Sequence, residues 1–493
     1  MTDAAAPVPD LAGIPASIPA TDPLAPYDAV LLLSYGGPRR PEDVLPFMRN
    51  ATAGRGVPDS RLLEVSGHYQ GFGGASPINA RNAELRDALQ ARLAERGSTL
   101  PVVVGNRNWH PFVSQALREL ADTGARHVLA LPTAAFGSYS GCRQYREDLA
   151  GAAALLAAGA DGSTGDGFEA DAAARVGGEG GAPVDLTVDK TRPYYNTPGL
   201  LEANVDAIVE AYGTLAEQGV AAADVRLVLV THSIPLGMEA GSAPTPESDG
   251  ASESAGAGQP AGRPAGPREP GVAADLSTEV SYVAQHRALA AVLVPEVARR
   301  LGLEEVESDL VYCSRSGPPQ ARWLEPDVND HLEALAVGQL TDGSPADRPG
   351  GVVVAPFGFI SDHMEVVFDL DTEAAQTARD LGMPYARAAT VGTHPAFVDS
   401  LVDILIERAA VARGEDVHPA STTGVGPFHT VCPPSCCRPG THHPGRHSRH
   451  GADGAAHESA AGHQPAADGS CRPASAEPES LKPASCGRMK EKR

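Results

Sequence analysis

Short apolar runs alternate along this chain with longer stretches in which apolar positions recur every three to four residues. Six runs read as strands: Ala29–Ser34, Pro101–Gly105, His127–Leu131, Arg226–Thr231, Asp309–Cys313 and Gly351–Ala355. They are continuously apolar rather than alternating, which suits strands covered on both faces, as in a parallel sheet. The helical pattern occupies Asn79–Arg96, Pro111–Asp122, Pro198–Gln218, Thr278–Leu301, Met364–Leu381 and Pro395–Arg413. In the first of these, Leu85, Leu89 and Leu93 form one apolar stripe. Strand–helix repetition predicts an α/β protein with doubly wound parallel sheets flanked by helices. The strands group as three early and three or more late, which predicts two similar domains with a cleft between them.

The pattern lapses in four places. Residues 1–25, Gly159–Gly181, Gly241–Asp275 and the aromatic-free stretch from His429 to Arg493 are rich in Gly, Ala, Pro and Ser, the last also in His. They bury too little apolar surface to offset chain entropy and read as flexible. They explain why 53 glycines and 43 prolines sit beside only 5% aromatic residues. Without them a body of about 330 residues remains, the size of two α/β domains. The expected division is a flexible 1–25, a first domain over 26–158 completed by the helix 395–413, and an insertion at 159–181. A second domain then spans 182–394 with an insertion at 241–275, followed by a Cys-rich segment at 428–440 and a disordered tail at 441–493.

Composition removes several functions. A net charge of −23 argues against nucleic acid or an anionic membrane as the main partner. No apolar run reaches the ~18 residues of a membrane span, and the first thirty residues lack a basic start and apolar core, so a cytoplasmic protein is expected; a monomer is the default expectation. Seven cysteines in such a chain do not form a disulfide scaffold.

Polar groups follow three strands directly, where open α/β sheets place their active sites. Ala29–Ser34 runs into Tyr35-Gly36-Gly37-Pro38, Arg226–Thr231 into His232-Ser233, and Gly351–Ala355 into a segment ending Ser361-Asp362-His363-Met364-Glu365. No phosphate-binding loop is present, and Gly71-Phe72-Gly73-Gly74 does not follow a strand, so a dinucleotide fingerprint is not supported. His232 can accept a proton or bind a borderline metal, or simply be a satisfied strand-end residue. His363 and Glu365, brought opposite it, would make a mixed N/O site for Fe(II), Zn(II) or Co(II). The competing reading is helix capping, with Ser361 or Asp362 as N-cap and Glu365 in the first turn. Phe357 and Phe359 are either cleft walls or core.

The segments LLLSYGGP (31–38), GGASPIN (73–79), GNRNWHPF (105–112), VTHSIP (230–235), SRSGPPQARWLEPDV (314–328) and APFGFISDHMEVVFDLD (355–371) together resemble the ferrochelatases, above all the actinobacterial coproporphyrin III ferrochelatases. The resemblance spans about residues 27 to 413. It implies two Rossmann-like, chelatase-type domains around a porphyrin cleft, and insertion of Fe2+ into coproporphyrin III for haem biosynthesis. It implies that His232 is the metal-site histidine and proton acceptor, with Glu365 its partner carboxylate, both meeting the Fe2+ substrate. Tyr35, Tyr69, Ser76 and Tyr145 match porphyrin-contacting positions. His68 stands where relatives carry Arg. The alternatives are a chelatase for protoporphyrin IX or cobalt and a non-catalytic porphyrin or haem carrier. Hand-off to a downstream haem-pathway enzyme is expected.

Cys432, Cys436 and Cys437 form a C-x3-C-C cluster beyond the last helix, and Cys142 follows the strand His127–Leu131. Three clustered thiols plus one distant thiol meet the four-thiolate requirement of a 2Fe–2S cluster or a structural zinc. The resemblance favours 2Fe–2S, because many actinobacterial relatives build one from one internal and three C-terminal cysteines. Adjacent Cys436 and Cys437 can both ligate only if the backbone turns sharply. Unligated thiols are the alternative. Cys313 reads as a core residue, and Cys471 and Cys486 as bystanders.

Overall fold

Eight parallel strands form two separate sheets of four in the computed structural model, which describes residues 21–54, 56–159, 182–242, 281–315, 321–432 and 436–439. The first sheet contains β1 (Ala29–Ser34), β2 (Val102–Asn106), β3 (His127–Pro132) and β4 (Thr187–Lys190), in the order β2-β1-β3-β4. The second contains β5 (Val225–His232), β6 (Ser308–Cys313), β7 (Gly351–Ala355) and β8 (Tyr385–Arg387), in the order β6-β5-β7-β8. Each sheet is wound alike. The chain leaves a central strand to one side, then returns to pair on the other, so β1 and β3 flank one switch point and β5 and β7 the other.

The continuous apolar runs are covered on both faces: all six residues of β1 and all five of β7 are buried. All six expected strands are present, with ends shifted by a residue or so. The edge strands β4 and β8 escape the sequence pattern because TVDK and YAR are short, polar and half-exposed. Pairing of β4 with β3 draws residues 187–190, expected in the second domain, into the first sheet.

Twelve helices among the described residues cover these sheets: α1 (Val44–Ala51), α2 (Asp59–Gly71), α3 (Ile78–Glu95), α4 (Val113–Asp122), α5 (Gln144–Ala157), α6 (Pro198–Glu217), α7 (Leu236–Ala240), α8 (Tyr282–Leu301), α9 (Val328–Ala336), α10 (Met364–Val366), α11 (Ala375–Asp380) and α12 (Pro395–Ala412). Helix α8 begins at a Ser281 cap, whose hydroxyl accepts from the Ala284 amide, and stops at Gly302 in the left-handed conformation. Helix α12 packs on both α3 and α6 and so ties the two sheet layers together, rather than completing the first domain alone.

Two expected flexible boundaries are ordered. Leu24 is fully buried, and Asp22 accepts hydrogen bonds from the amides of Leu24 and Thr99. Ser242, placed in the second insertion, is buried and accepts from the Tyr282 amide. The remainder of the expected N-terminal segment, of the insertions and of the tail, with Cys471 and Cys486, lies outside the described residues.

Candidate active site and thiol cluster

His232 closes β5, at the switch point of the second sheet. Its Nδ1 faces the Ser233 carbonyl. Donation there leaves Nε2 of the neutral ring as the lone-pair nitrogen. That nitrogen lies 3.8 Å from Glu365 Oε2, and His363 Nδ1 lies 3.8 Å from the same oxygen. Glu365 therefore sits between two imidazoles. Burial pushes His363 below its ordinary value, which favours the neutral ring.

The capping reading holds only for Glu365, which lies in the first turn of α10; neither Ser361 nor Asp362 is the N-cap. His363 precedes α10 without a side-chain cap bond. Asp362 is held by Arg387 of β8, at 3.1 Å, and by the Thr390 hydroxyl at 3.2 Å. Arg387 also binds Asp371 at 2.6 Å, so one guanidinium anchors both ends of the segment that carries His363 and Glu365.

Beneath His232 lies a buried network. The Tyr282 hydroxyl donates to the His232 carbonyl at 3.1 Å and sits 2.9 Å from Thr231 Oγ1. His286 Nδ1 donates to the Tyr282 carbonyl, which leaves Nε2 to accept from Thr231 at 2.8 Å. Burial drives His286 down to about 3, consistent with a neutral ring stacked on Phe136 at 3.7 Å. Phe357 is fully buried and stands in this core, whereas Phe359 lies within 5.2 Å of the His363 ring.

The helix expected over Met364–Leu381 is continuous but changes winding. Val367–Ala374 is π-helical between α10 and α11. Such wider turns are rare and gather at functional sites. Its residue Asp369 is raised by burial to about 7, opposed by the Ser314 hydroxyl that hydrogen-bonds it and reinforced by Glu365 and Glu373. Ser314 adopts a left-handed φ of 62°, a strained conformation next to the site. Cys313 is buried beside it, as expected of a core residue. The spacing of Glu365, Asp369 and Glu373 was visible in the sequence and marked an acidic stripe that the sequence reading did not single out.

From the first sheet, Tyr35 is 37% exposed and packs edge-on against Phe47 at 6.2 Å. Tyr69 lies 6.1 Å from the same ring. Its hydroxyl is pushed up by burial, with the Glu365 carboxylate and Tyr35 adding to the shift. Ser76 donates its amide to the Pro38 carbonyl and fits against Gly37, where a Cβ would come within 2.7 Å of its own. Tyr145 is set apart: only 5% exposed, it packs in the core behind Arg107, whose guanidinium lies 4.6 Å from its ring and 5.9 Å from that of Tyr35. Arg107, the third residue of GNRNWHPF, pairs with Asp148. His68 stacks on Phe368 of the π-helical turn at 4.0 Å, joining α2 to the second sheet's helix by ring contact.

The four expected thiols meet beside Lys190, the last residue of β4. Cys142 lies in a π-helical turn, Tyr139–Arg143, and lines one small cavity with Cys432, Cys436, Cys437, Arg143, Arg146 and Lys190. Cys436 and Cys437 sulfurs are 3.6 Å apart. The required sharp turn is present: Cys437 has a left-handed φ of 52°. Hydrogen bonds with Cys432 and Cys437 pull the Cys142 thiol well below its usual range, and Lys190 adds to this. Arg143 donates to the Cys436 carbonyl at 3.3 Å and Arg146 to that of Cys432 at 3.4 Å. Among the described residues, no three His, Cys, Asp or Glu side chains already stand in metal-ligand geometry, and no helix is long and apolar enough to cross a membrane.

A profile of the family Ferrochelatase matches residues 27–409. The Coproporphyrin III ferrochelatase of Streptomyces coelicolor is 42% identical over 418 residues, which cover 84% of this chain and 94% of that protein. That of Leifsonia xyli is 39% identical, covering 85% and 92%, and that of Mycolicibacterium smegmatis 39%, covering 83% and 99%. Among solved structures, the cobalt complex of the sirohydrochlorin chelatase SirB from Bacillus subtilis aligns over 78% of this chain and 97% of its own at 10% identity, with a TM-score of 0.37.

Proposed function

This chain belongs to the ferrochelatase family, and from that premise we propose that it inserts Fe2+ into coproporphyrin III, giving Fe-coproporphyrin III for haem synthesis. The observation that carries the reading is Glu365, 3.8 Å from both His232 Nε2 and His363 Nδ1 at a sheet switch point. Its relatives of about 40% identity bear the substrate in their names.

Metallation must take two protons from pyrrole nitrogens while iron sheds water. The lone pair of His232 Nε2 accepts a proton, and the Glu365 carboxylate beside it balances the imidazolium and meets the incoming cation. Asp369, whose affinity for protons is set near neutrality, takes the proton onward from the cleft. Tyr35 and Tyr69 line the opposite wall, and Ser76 offers a hydroxyl to the macrocycle's carboxylates. Tyr145 acts from behind Arg107. Arg387 and the Thr231–Tyr282–His286 network hold Glu365 and His232 in place. A cytoplasmic location, and delivery of the product to a later haem-pathway enzyme, complete the reading.

The donor set at the thiol-lined cavity fits a resident 2Fe–2S cluster: four thiols, three cations around them, and a backbone turn that lets adjacent cysteines face one way. Cys142, Cys432, Cys436 and Cys437 would hold it, and the cluster would supply a one-electron couple. Around it, Arg143 and Arg146 grip the carbonyls of the C-terminal segment.

Initial rates with Fe2+ and Co2+ on coproporphyrin III and protoporphyrin IX test the function. His232→Ala should lower kcat for iron insertion by roughly 10²–10⁴-fold while coproporphyrin III still binds. Wild-type turnover in that variant would remove His232 from the mechanism. Faster turnover of protoporphyrin IX or cobalt would replace the substrate, and binding of a single equivalent without turnover would make the protein a carrier.

A further inference from the structure

Lys190 ends the edge strand β4. Lysines on edge strands ordinarily point to solvent and blunt the edge. This one turns inward: its Nζ donates to Cys142 Sγ at 3.3 Å and to the Thr191 carbonyl at 2.7 Å. It lines the same cavity as all four thiols. Arg143 and Arg146 reach that cavity too, but they donate to main-chain carbonyls of Cys436 and Cys432. Those two bonds hold the C-terminal segment, whereas that of Lys190 reaches a sulfur.

We propose that Lys190 is an outer-sphere donor and counter-charge that raises the reduction potential of a 2Fe–2S cluster bound by Cys142, Cys432, Cys436 and Cys437. The inference rests on the assignment of that cluster to the four thiols. A cluster with four thiolate ligands is anionic, and reduction adds one more negative charge to the core. An ammonium within hydrogen-bond distance of a ligand sulfur stabilises the reduced form more than the oxidised one, because the added charge spreads onto the sulfurs. The Cys142 side is buried, so solvent screens the interaction weakly. The couple is one electron added to the diferric core, and no ligand bond forms or breaks.

The test is a redox titration of the full-length holoprotein, with dithionite as reductant and mediators, followed by EPR and visible absorbance. Iron and sulfide content per chain are measured first. Wild type should hold two irons and two sulfides per chain, the composition of the 2Fe–2S cluster. Lys190→Met keeps the stem and removes the charge. It should shift the reduced-to-oxidised ratio at fixed poise by at least about tenfold toward the oxidised form, about 59 mV for one electron. Lys190→Gln, which retains a donor but no charge, should shift the same way. A Lys190→Met potential within threefold of wild type overturns the proposal and leaves the cluster assignment standing. Loss of the cluster from both variants while wild type stays loaded also overturns it, since Lys190 would then govern assembly. A colourless wild type carrying zinc or no metal overturns the cluster assignment first and this inference with it.

Discussion

Asp369 is the residue whose chemistry depends most on its surroundings. Burial raises its carboxyl to about 7 from an ordinary value of 3.8, against the Ser314 hydroxyl and His232, which lower it, with Glu365 and Glu373 adding repulsion. Between those values the folded protein keeps a proton that the unfolded chain has released. Stability from this source is complete below the unfolded value and is lost as pH rises through about 7. Asp369→Asn removes the titration. Its stability relative to wild type should therefore grow between about pH 4 and pH 8, by at most a few kcal/mol, and urea denaturation at about pH 4, 6 and 8 measures this. A difference that stays constant across that range would mean the carboxyl titrates as it does in the unfolded chain. Glu365 shows the limits of reading residues singly. Its sequence position suits the first turn of a helix as well as a metal site; it does lie in that turn, while Arg387, twenty-two residues later, engages Asp362, which caps nothing.

At the scale of elements, the loop after β7 is shaped by one close approach. A Cβ on Gly358 would lie 2.2 Å from Thr231 Oγ1 and 2.9 Å from the Thr231 backbone. Gly358→Ala should therefore destabilise the protein by about 1–3 kcal/mol. It should also cost more activity than stability, because the displaced strand end carries His232. Gly213→Ala on α6 is the control. Nothing lies within 4 Å of its added methyl, and the helix gains from losing a glycine, so it should be neutral or stabilising by up to about 1 kcal/mol. Denaturation midpoints and initial rates for the pair check both expectations. The strands that carry the site were legible because central parallel strands are apolar throughout. The π-helical turn was not, since a window tuned to ordinary helical period reads Met364–Leu381 as uniform and misses the change of winding. Helix α2 was missed for a related reason: it buries only Leu62 along its length, so it has almost no apolar stripe to recognise. Yet it carries His68 and Tyr69.

At the scale of the molecule, the C-terminal segment behaves as part of the fold. Arg192, 1% exposed, pairs with Glu407 of α12 at 2.8 and 3.0 Å and donates to the Ala420 carbonyl. Glu407 also accepts from the Thr430 hydroxyl. Phe428 seals Gly137, next to the turn that bears Cys142, and the Arg438 amide donates to the Gly241 carbonyl. Arg192→Met leaves the Glu407 carboxylate buried without its charge partner and should cost about 3–5 kcal/mol. The double variant Arg192→Met with Glu407→Met should lose clearly less than Arg192→Met alone. Equal losses would mean the pair adds nothing beyond packing. The sequence by itself determined the six central strands, most of the long helices, the strand ends that carry Tyr35, His232 and the segment to Glu365, and the four cysteines. These follow from local periodicity and from residue types with few alternative uses. Tertiary structure alone decided that Glu365 lies between two imidazoles, that Tyr145 hides behind Arg107, that β4 joins the first sheet, and that Lys190 turns toward Cys142. Each depends on which groups long-range pairing brings within a few ångströms, and therefore on burial and neighbouring charge, neither of which local sequence spacing encodes.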